Sequence, residues 1–148
     1  MVKIKVISSK GIMNHFKLLN VVGKKVMADN GEFVGKVRDI AFDMNKVVGI
    51  YVTGPLGLKK VLIDKEYIDH FHADSVVLKI NPVTQLEGKF VFDKDGKKIG
   101  KVCELVRKGT GNDFTEAIVK KNPLSRGIHI KRSDMDVISK NIILKKKM

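Results

Sequence analysis

The 148-residue chain carries 29 Lys and Arg against 16 Asp and Glu, a formal charge of +13, and 43% of its residues are hydrophobic. That apolar share suffices for a core and excludes a globally disordered chain, while no run approaches the roughly 20 apolar residues of a membrane-crossing helix. A single cysteine, Cys103, excludes an internal disulfide and any cysteine-based zinc cluster.

At the N-terminus, Val2, Ile4 and Val6 alternate with Lys3 and Lys5. This reads as one amphipathic strand, whose apolar face closes against the other repeat or extends a sheet edge of a neighbouring chain. The alternation is unlike a signal-peptide core, so the chain is expected in the cytoplasm. Next, VMADNGEFVGKV places apolar residues on both sides of Asn30-Gly31, a hairpin signal that predicts a type I′ turn. Gly35 interrupts the second arm, as at a bulge or tight bend. The β-branched segment KVVGIYVTG predicts a strand, and the loop GPLGLKK follows with Pro55, Leu56 and Leu58. KKVLI and SVVLK predict two further strands. Between them, DKEYIDHFHAD predicts a helical turn with Ile68 and Phe71 inward.

After Asn81-Pro82 the pattern begins again. At an offset of 65, Gly23, Lys24, Val26, Gly31, Gly35, Lys36 and Val37 recur as Gly88, Lys89, Val91, Gly96, Gly100, Lys101 and Val102. Val48–Val52 is matched with Glu116–Lys120, Pro55-Leu56 with Pro123-Leu124, Ile63 with Ile130 and SVVLK with NIILK. The chain is therefore two copies of one unit, 1–82 and 83–148. In the second copy, KRSDMDVISKN predicts a helical turn capped by Ser133, with Met135 and Ile138 inward. Five or six short strands per unit are too few for a sandwich, and a small closed barrel removes its own edges.

The glycine motif invites comparison with ligand loops and fails at named positions. A phosphate loop needs four residues between its glycines and then Lys-Ser or Lys-Thr. Here three residues separate Gly31 from Gly35 and Gly96 from Gly100, and Val37 and Val102 stand where the hydroxyl is needed. An EF-hand register on Gly96 would put Val91 and Val102 at ligand positions, so that site is absent too. Gly23, Asn30, Gly31 and Gly35, with Gly88, Asp95, Gly96 and Gly100, are assigned to structural turns and bulges.

His70, His72 and Asp74 could touch a metal, but four ligands are not assembled and the second copy has Val137 and Ser139 instead. They are read as a solvated loop, with no metal. His15 and His129 stand alone, and Cys103, in IGKVCELV, reads as a small buried hydrophobe. No spacing suggests a catalytic set, so no enzymatic activity and no cofactor are expected. The charge divides as +5 in the first copy, from 13 basic and 8 acidic residues, and +8 in the second, from 16 and 8. Lys supplies 25 of the basic residues; with four Arg, two Tyr and no Trp, the composition weighs against a nucleic-acid reader. Lys145-Lys146-Lys147 reads as a solvated tail.

The doubled G-K-x-V…G-x-x-(V/I)-G-K-V pattern, with the strands, Pro loop and short turn after it, resembles the PRC-barrel family from about Val21 to Lys146. The resemblance implies an all-β fold of two tandem six-stranded barrels, used as binding modules without catalysis. Relatives include the cytoplasmic part of the photosynthetic reaction-centre H subunit, the C-terminal domain of the ribosome maturation factor RimM, and archaeal proteins of FtsZ-based cell division. A Lys-rich, Cys-poor and Trp-free pair of barrels is most similar to the archaeal group. The implied partners are other proteins, among them another PRC-barrel chain or division components, in a homo- or hetero-oligomer such as a dimer. The surfaces proposed for them are Val2, Ile4 and Val6, the loop with Pro55, Leu56 and Leu58, and its counterpart with Pro123, Leu124 and Arg126. The alternative is a ribosome- or RNA-associated factor.

Overall fold

The computed structural model describes residues 5, 7–11, 17–54 and 60–148. They form two compact units, one reaching Lys79 and the other starting at Ile80. In the first, a one-turn helix α1 (Leu18–Val21) precedes β1 (Lys25–Met27), β2 (Phe33–Asp43), β3 (Lys46–Thr53), β4 (Lys60–Asp64), β5 (Ile68–Phe71) and β6 (Ser75–Leu78). In the second, a 3₁₀ turn (Val83–Leu86) precedes β7 (Phe90–Phe92), β8 (Lys98–Val106), β9 (Glu116–Lys120), β10 (Ile128–Lys131), β11 (Met135–Ile138) and β12 (Ile142–Leu144). The sheet orders are β4-β3-β2-β1-β6-β5 and β10-β9-β8-β7-β12-β11. The pairs β1/β6 and β7/β12 are parallel, and the others antiparallel.

Chain length alone requires each sheet to curl. The two outermost strands of the first sheet, β4 and β5, are joined only by the 3₁₀ turn Lys65–Tyr67. Four residue steps reach at most about 14 Å, whereas five inter-strand gaps in a flat sheet span about 24 Å. The turn Arg132–Asp134 imposes the same closure on β10 and β11. The inward faces form the cores: Val26, Val37, Ile50, Val52, Ile63, Val76 and Leu78 in one barrel, and Val91, Val102, Ala117, Val119, Ile130, Ile142 and Leu144 in the other. The two barrels thus repeat one core nearly position for position.

The corners curl the sheet. Val26 faces Gly35 and Met27 faces Phe33, so Val34 is an extra residue on β2; Ile99 is its counterpart on β8. A Cβ on Gly35 would lie 2.2 Å from the Thr53 carbonyl oxygen, and one on Gly100 would lie 2.3 Å from that of Lys120. Only glycine lets the neighbouring strand pass at that distance.

Several sequence expectations are corrected. The turn at Asn30-Gly31 is not type I′, because Asn30 and Asp95 have negative φ; only Gly31 (φ +84°) and Gly96 (φ +86°) are left-handed. Gly31 N–H donates to Ala28 O and Ala28 N–H to Glu32 O, and Gly96 and Asp93 repeat this with Asp93 O and Lys97 O. This is a three-residue loop closed by a glycine bulge. The helical turns are single 3₁₀ turns, and Ile68–Phe71 and Met135–Ile138 are strands. Ser133 lies inside its turn; Lys131 is the capping position and makes no side-chain cap. Strand β9 is matched one residue off: Ile50 pairs with Ile63 and Ala117 with Ile130, so Ile50 corresponds to Ala117 and not to Ile118.

Cys103 is exposed, not buried. It is the extra residue between the pairs Val102–Val119 and Glu104–Ile118, a bulge that turns it outward. Its Sγ donates to Ile118 O at 3.2 Å. The C-terminal lysines are not a free tail either. Lys94 N–H donates to Lys146 O, Lys145 N–H to Asp134 O, and Met148 N–H to the Asp93 carboxylate. Asp93 is buried and also accepts from Asp95 N–H and Lys97 N–H at 2.9 Å each. Burial, the largest influence, would raise this carboxyl; the three backbone donors and the Lys97 charge together outweigh it and hold the group below its usual range.

Candidate interaction surface

The β2–β3 connection of the first barrel is as short as a hairpin permits. Asp43 pairs with Lys46, leaving Met44-Asn45 as the loop. Met44 has φ +52°, unusual for a residue with a Cβ, and is 97% exposed. Beneath it Phe42 and Val47 face each other across the ladder, 62% and 43% exposed. Three apolar side chains thus cluster at one exposed tip, flanked by Asp43 and Lys46. Single exposed apolar residues are ordinary; three of them at one constrained turn make a candidate contact surface.

The equivalent β8–β9 connection runs through residues 107–115 and folds back on its own barrel. Arg107 Nη2 donates to Gly111 O, Asn112 accepts from Val83 N–H at 2.8 Å and donates to Asn81 O at 3.0 Å, and Phe114 is buried in the core. Beside Phe114 opens a cleft of about 570 Å³ whose lining includes Lys108, Lys131, Arg132, Lys145 and Met135. Arg132 lies over the Phe114 ring, 5.7 Å from its centroid. None of these four cations is in an ion pair among the described residues. The lining carboxylate, Glu116, faces His129 at 3.0 Å. The balance of charge around the cleft is therefore positive.

The residues singled out from sequence separate into four groups. Gly23, Gly31, Gly88 and Gly96 hold left-handed φ, Asn30 and Asp95 occupy the loops, and Gly35 and Gly100 sit at close strand approaches. Val2, Ile4, Val6, Pro55, Leu56 and Leu58 lie outside the described residues. Pro123, Leu124 and Arg126 are exposed on a turn organised by Ser125, whose Oγ accepts from Lys121 N–H and Asn122 N–H, and Leu124 protrudes at 98% exposure. His70 lies on β5 beside His72, and its carboxylate partner is Asp69.

Two features escaped the sequence reading. The hairpin tip was visible as Phe42 and Val47 around a two-residue turn that carries Met44, with no apolar counterpart in the second copy. The lysine that follows Gly23 or Gly88 is structural: Lys24 Nζ donates to His72 O at 2.5 Å, and Lys89 Nζ donates to Ser139 O. Each ties the start of β1 or β7 to the turn that leads into its parallel neighbour, β6 or β12.

Two curled six-stranded sheets with repeated glycine corners define a tandem small-barrel module. The chain belongs to the PRC-barrel family: the model of the PRC-barrel domain matches residues 13–83 and again 78–147. Among solved structures it is similar to a putative 16S ribosomal RNA processing protein, RimM, from Pseudomonas aeruginosa, at 11% identity and a TM-score of 0.40. That match covers 51% of this chain and 49% of the other. No curated protein matches the chain. No helix among the described residues is long and apolar enough to cross a membrane.

Proposed function

We propose that this chain is a non-catalytic adaptor, working in the cytoplasm, that binds other proteins, a like barrel among them. The observation that carries the reading is the exposed apolar tip Phe42–Met44–Val47. Covering such side chains contributes about 1.5–3 kcal/mol each, enough to hold a partner when two linked barrels act together. The Leu124 turn offers a second exposed apolar contact. A place in FtsZ-based cell division is the finer part of the proposal, resting on the resemblance to the archaeal barrels. Affinity capture from native lysate tests it: division components should be retained by the wild-type chain and lost with Phe42→Ser/Met44→Ser. Recovery of ribosomal particles alone contradicts it.

The cationic cleft at Phe114 favours a second reading, a ribosome- or RNA-associated factor. RNA binding that falls steeply with added salt supports that reading. Absence of RNA binding at low salt removes it.

A further inference from the structure

In the first barrel His70 and His72 turn their imidazoles onto one another, with Nε2 to Nε2 at 2.6 Å and ring planes 84° apart. Behind them the Asp69 carboxylate stands 2.6 Å from His70 Nδ1. A carboxylate only accepts, so His70 carries its proton on Nδ1 and, when neutral, presents a lone pair at Nε2. That is how a metal-binding histidine is prepared: a carboxylate on the far nitrogen fixes the tautomer and the orientation of the ring. His72 then needs only to move its proton from Nε2 to Nδ1 for both near nitrogens to face one point. We propose that His70 and His72 form a bidentate site for a borderline divalent transition ion such as Zn²⁺, oriented by Asp69, with the remaining positions held by water.

The geometry is close to what such an ion requires. Two Zn–N bonds of about 2.0–2.1 Å at a near-tetrahedral angle place the nitrogens about 3.3 Å apart. The pair therefore opens by about 0.7 Å from its 2.6 Å separation. The site is accessible, since the His70 and Asp69 side chains are 44% and 52% exposed. The backbone is held on both sides: His72 N–H donates to Ser75 O at 2.7 Å, and His72 O accepts from Lys24 Nζ. This Lys24 charge is directed at the carbonyl. Among the described residues no third His, Cys, Asp or Glu completes a cluster, so the ion exchanges with solvent and is not a closed structural centre. The second barrel has Val137 and Ser139 near the corresponding turn, so the site belongs to one barrel only.

The test is calorimetric titration of the untagged full chain with Zn²⁺ at neutral pH, alongside the ring-nitrogen NMR shifts of the histidines. One equivalent should bind, with shifts at His70 and His72 Nε2. His70→Ala and His72→Ala should each lose binding at least about tenfold, and Asp69→Asn about 10–100-fold. His129→Ala, in the other barrel, should bind like wild type. Retained thermal melting of each variant without metal separates loss of the ligand from loss of fold. No saturable binding by the wild-type chain, or equal binding by folded His70→Ala, overturns the proposal.

Discussion

The β2–β3 and β8–β9 connections occupy the same place in two copies of one barrel, yet they turn opposite ways. The shorter one exposes Phe42 and Met44, whereas the longer one buries Phe114 and anchors Asn112 to its own unit. The strands around them are matched, with Val37–Val52 in one copy and Val102–Val119 in the other. The strands and cores of the two copies match, whereas these two connections differ in length, exposure and charge. The first copy gained an apolar projection, the second a cationic cleft on an aromatic floor. That difference fits the proposed adaptor, each barrel offering a surface unlike the other's.

The comparison can be broken most sharply at the aromatic residues. Phe114→Ala should lower unfolding stability by about 3–5 kcal/mol, while Phe42→Ala should leave it within about 0.5 kcal/mol. Equal losses in chemical denaturation would contradict the assignment of one ring to the core and the other to the surface. Gly35→Ala and Gly100→Ala test what the copies share. Each forces a Cβ against a strand carbonyl, at 2.2 and 2.3 Å, and each should cost about 3 kcal/mol or more. Thermal melting unchanged in either variant would show that the corners relax. Asn112→Ala removes the two hydrogen bonds that fold the long loop back, with an expected loss of about 1–2 kcal/mol and faster amide exchange through residues 107–113.

A smaller effect distinguishes the short loop. Met44→Gly relieves a left-handed φ and should raise stability by about 0.5–1 kcal/mol; destabilisation would mean that Met44 packs against its own barrel. The acid response differs between copies too, because the position of Asp93 is held by buried Ala28 in the first. The folded-state pKa of Asp93 is depressed, so its stabilisation is full above the ordinary carboxyl value near 3.9 and fades as pH falls through the lower folded value. Asp93→Asn should flatten that acid-side loss in a denaturation series from pH 5 to about pH 2. An unchanged slope would show that other carboxylates dominate.

Much of the fold is legible in the sequence because β-structure here is written in repeated, strongly patterned segments. Three glycines in register locate the corners of both barrels, and matched valines locate the core. What was hidden was hidden by bulges and by short elements. A dipeptide such as Asn-Gly fixes where a turn lies, but not whether one or both residues become left-handed. The strand Ile68–Phe71 is masked by polar neighbours and by the one-turn helix before it. Ile118 imitates Ile50 in sequence, and only the ladder shows that the core accepts Ala117 there. Cys103 looked buried because a bulge inverts the expected alternation. The surface was the least legible. Phe42 and Met44 read like any strand ending until their exposure and the backbone of Met44 are known, and the cleft draws its cations from residues 108, 131, 132 and 145.

The central claim is that the hairpin tip of the first barrel is the protein-binding surface. It is tested most directly with a photo-reactive amino acid placed at position 44, or at position 110 in the equivalent loop, in cells expressing the full chain. A discrete protein adduct is expected from position 44 that disappears with Phe42→Ser, and none of comparable yield from position 110. Equal cross-linking from the two loops, or an adduct from 44 that survives Phe42→Ser in a folded chain, would contradict it.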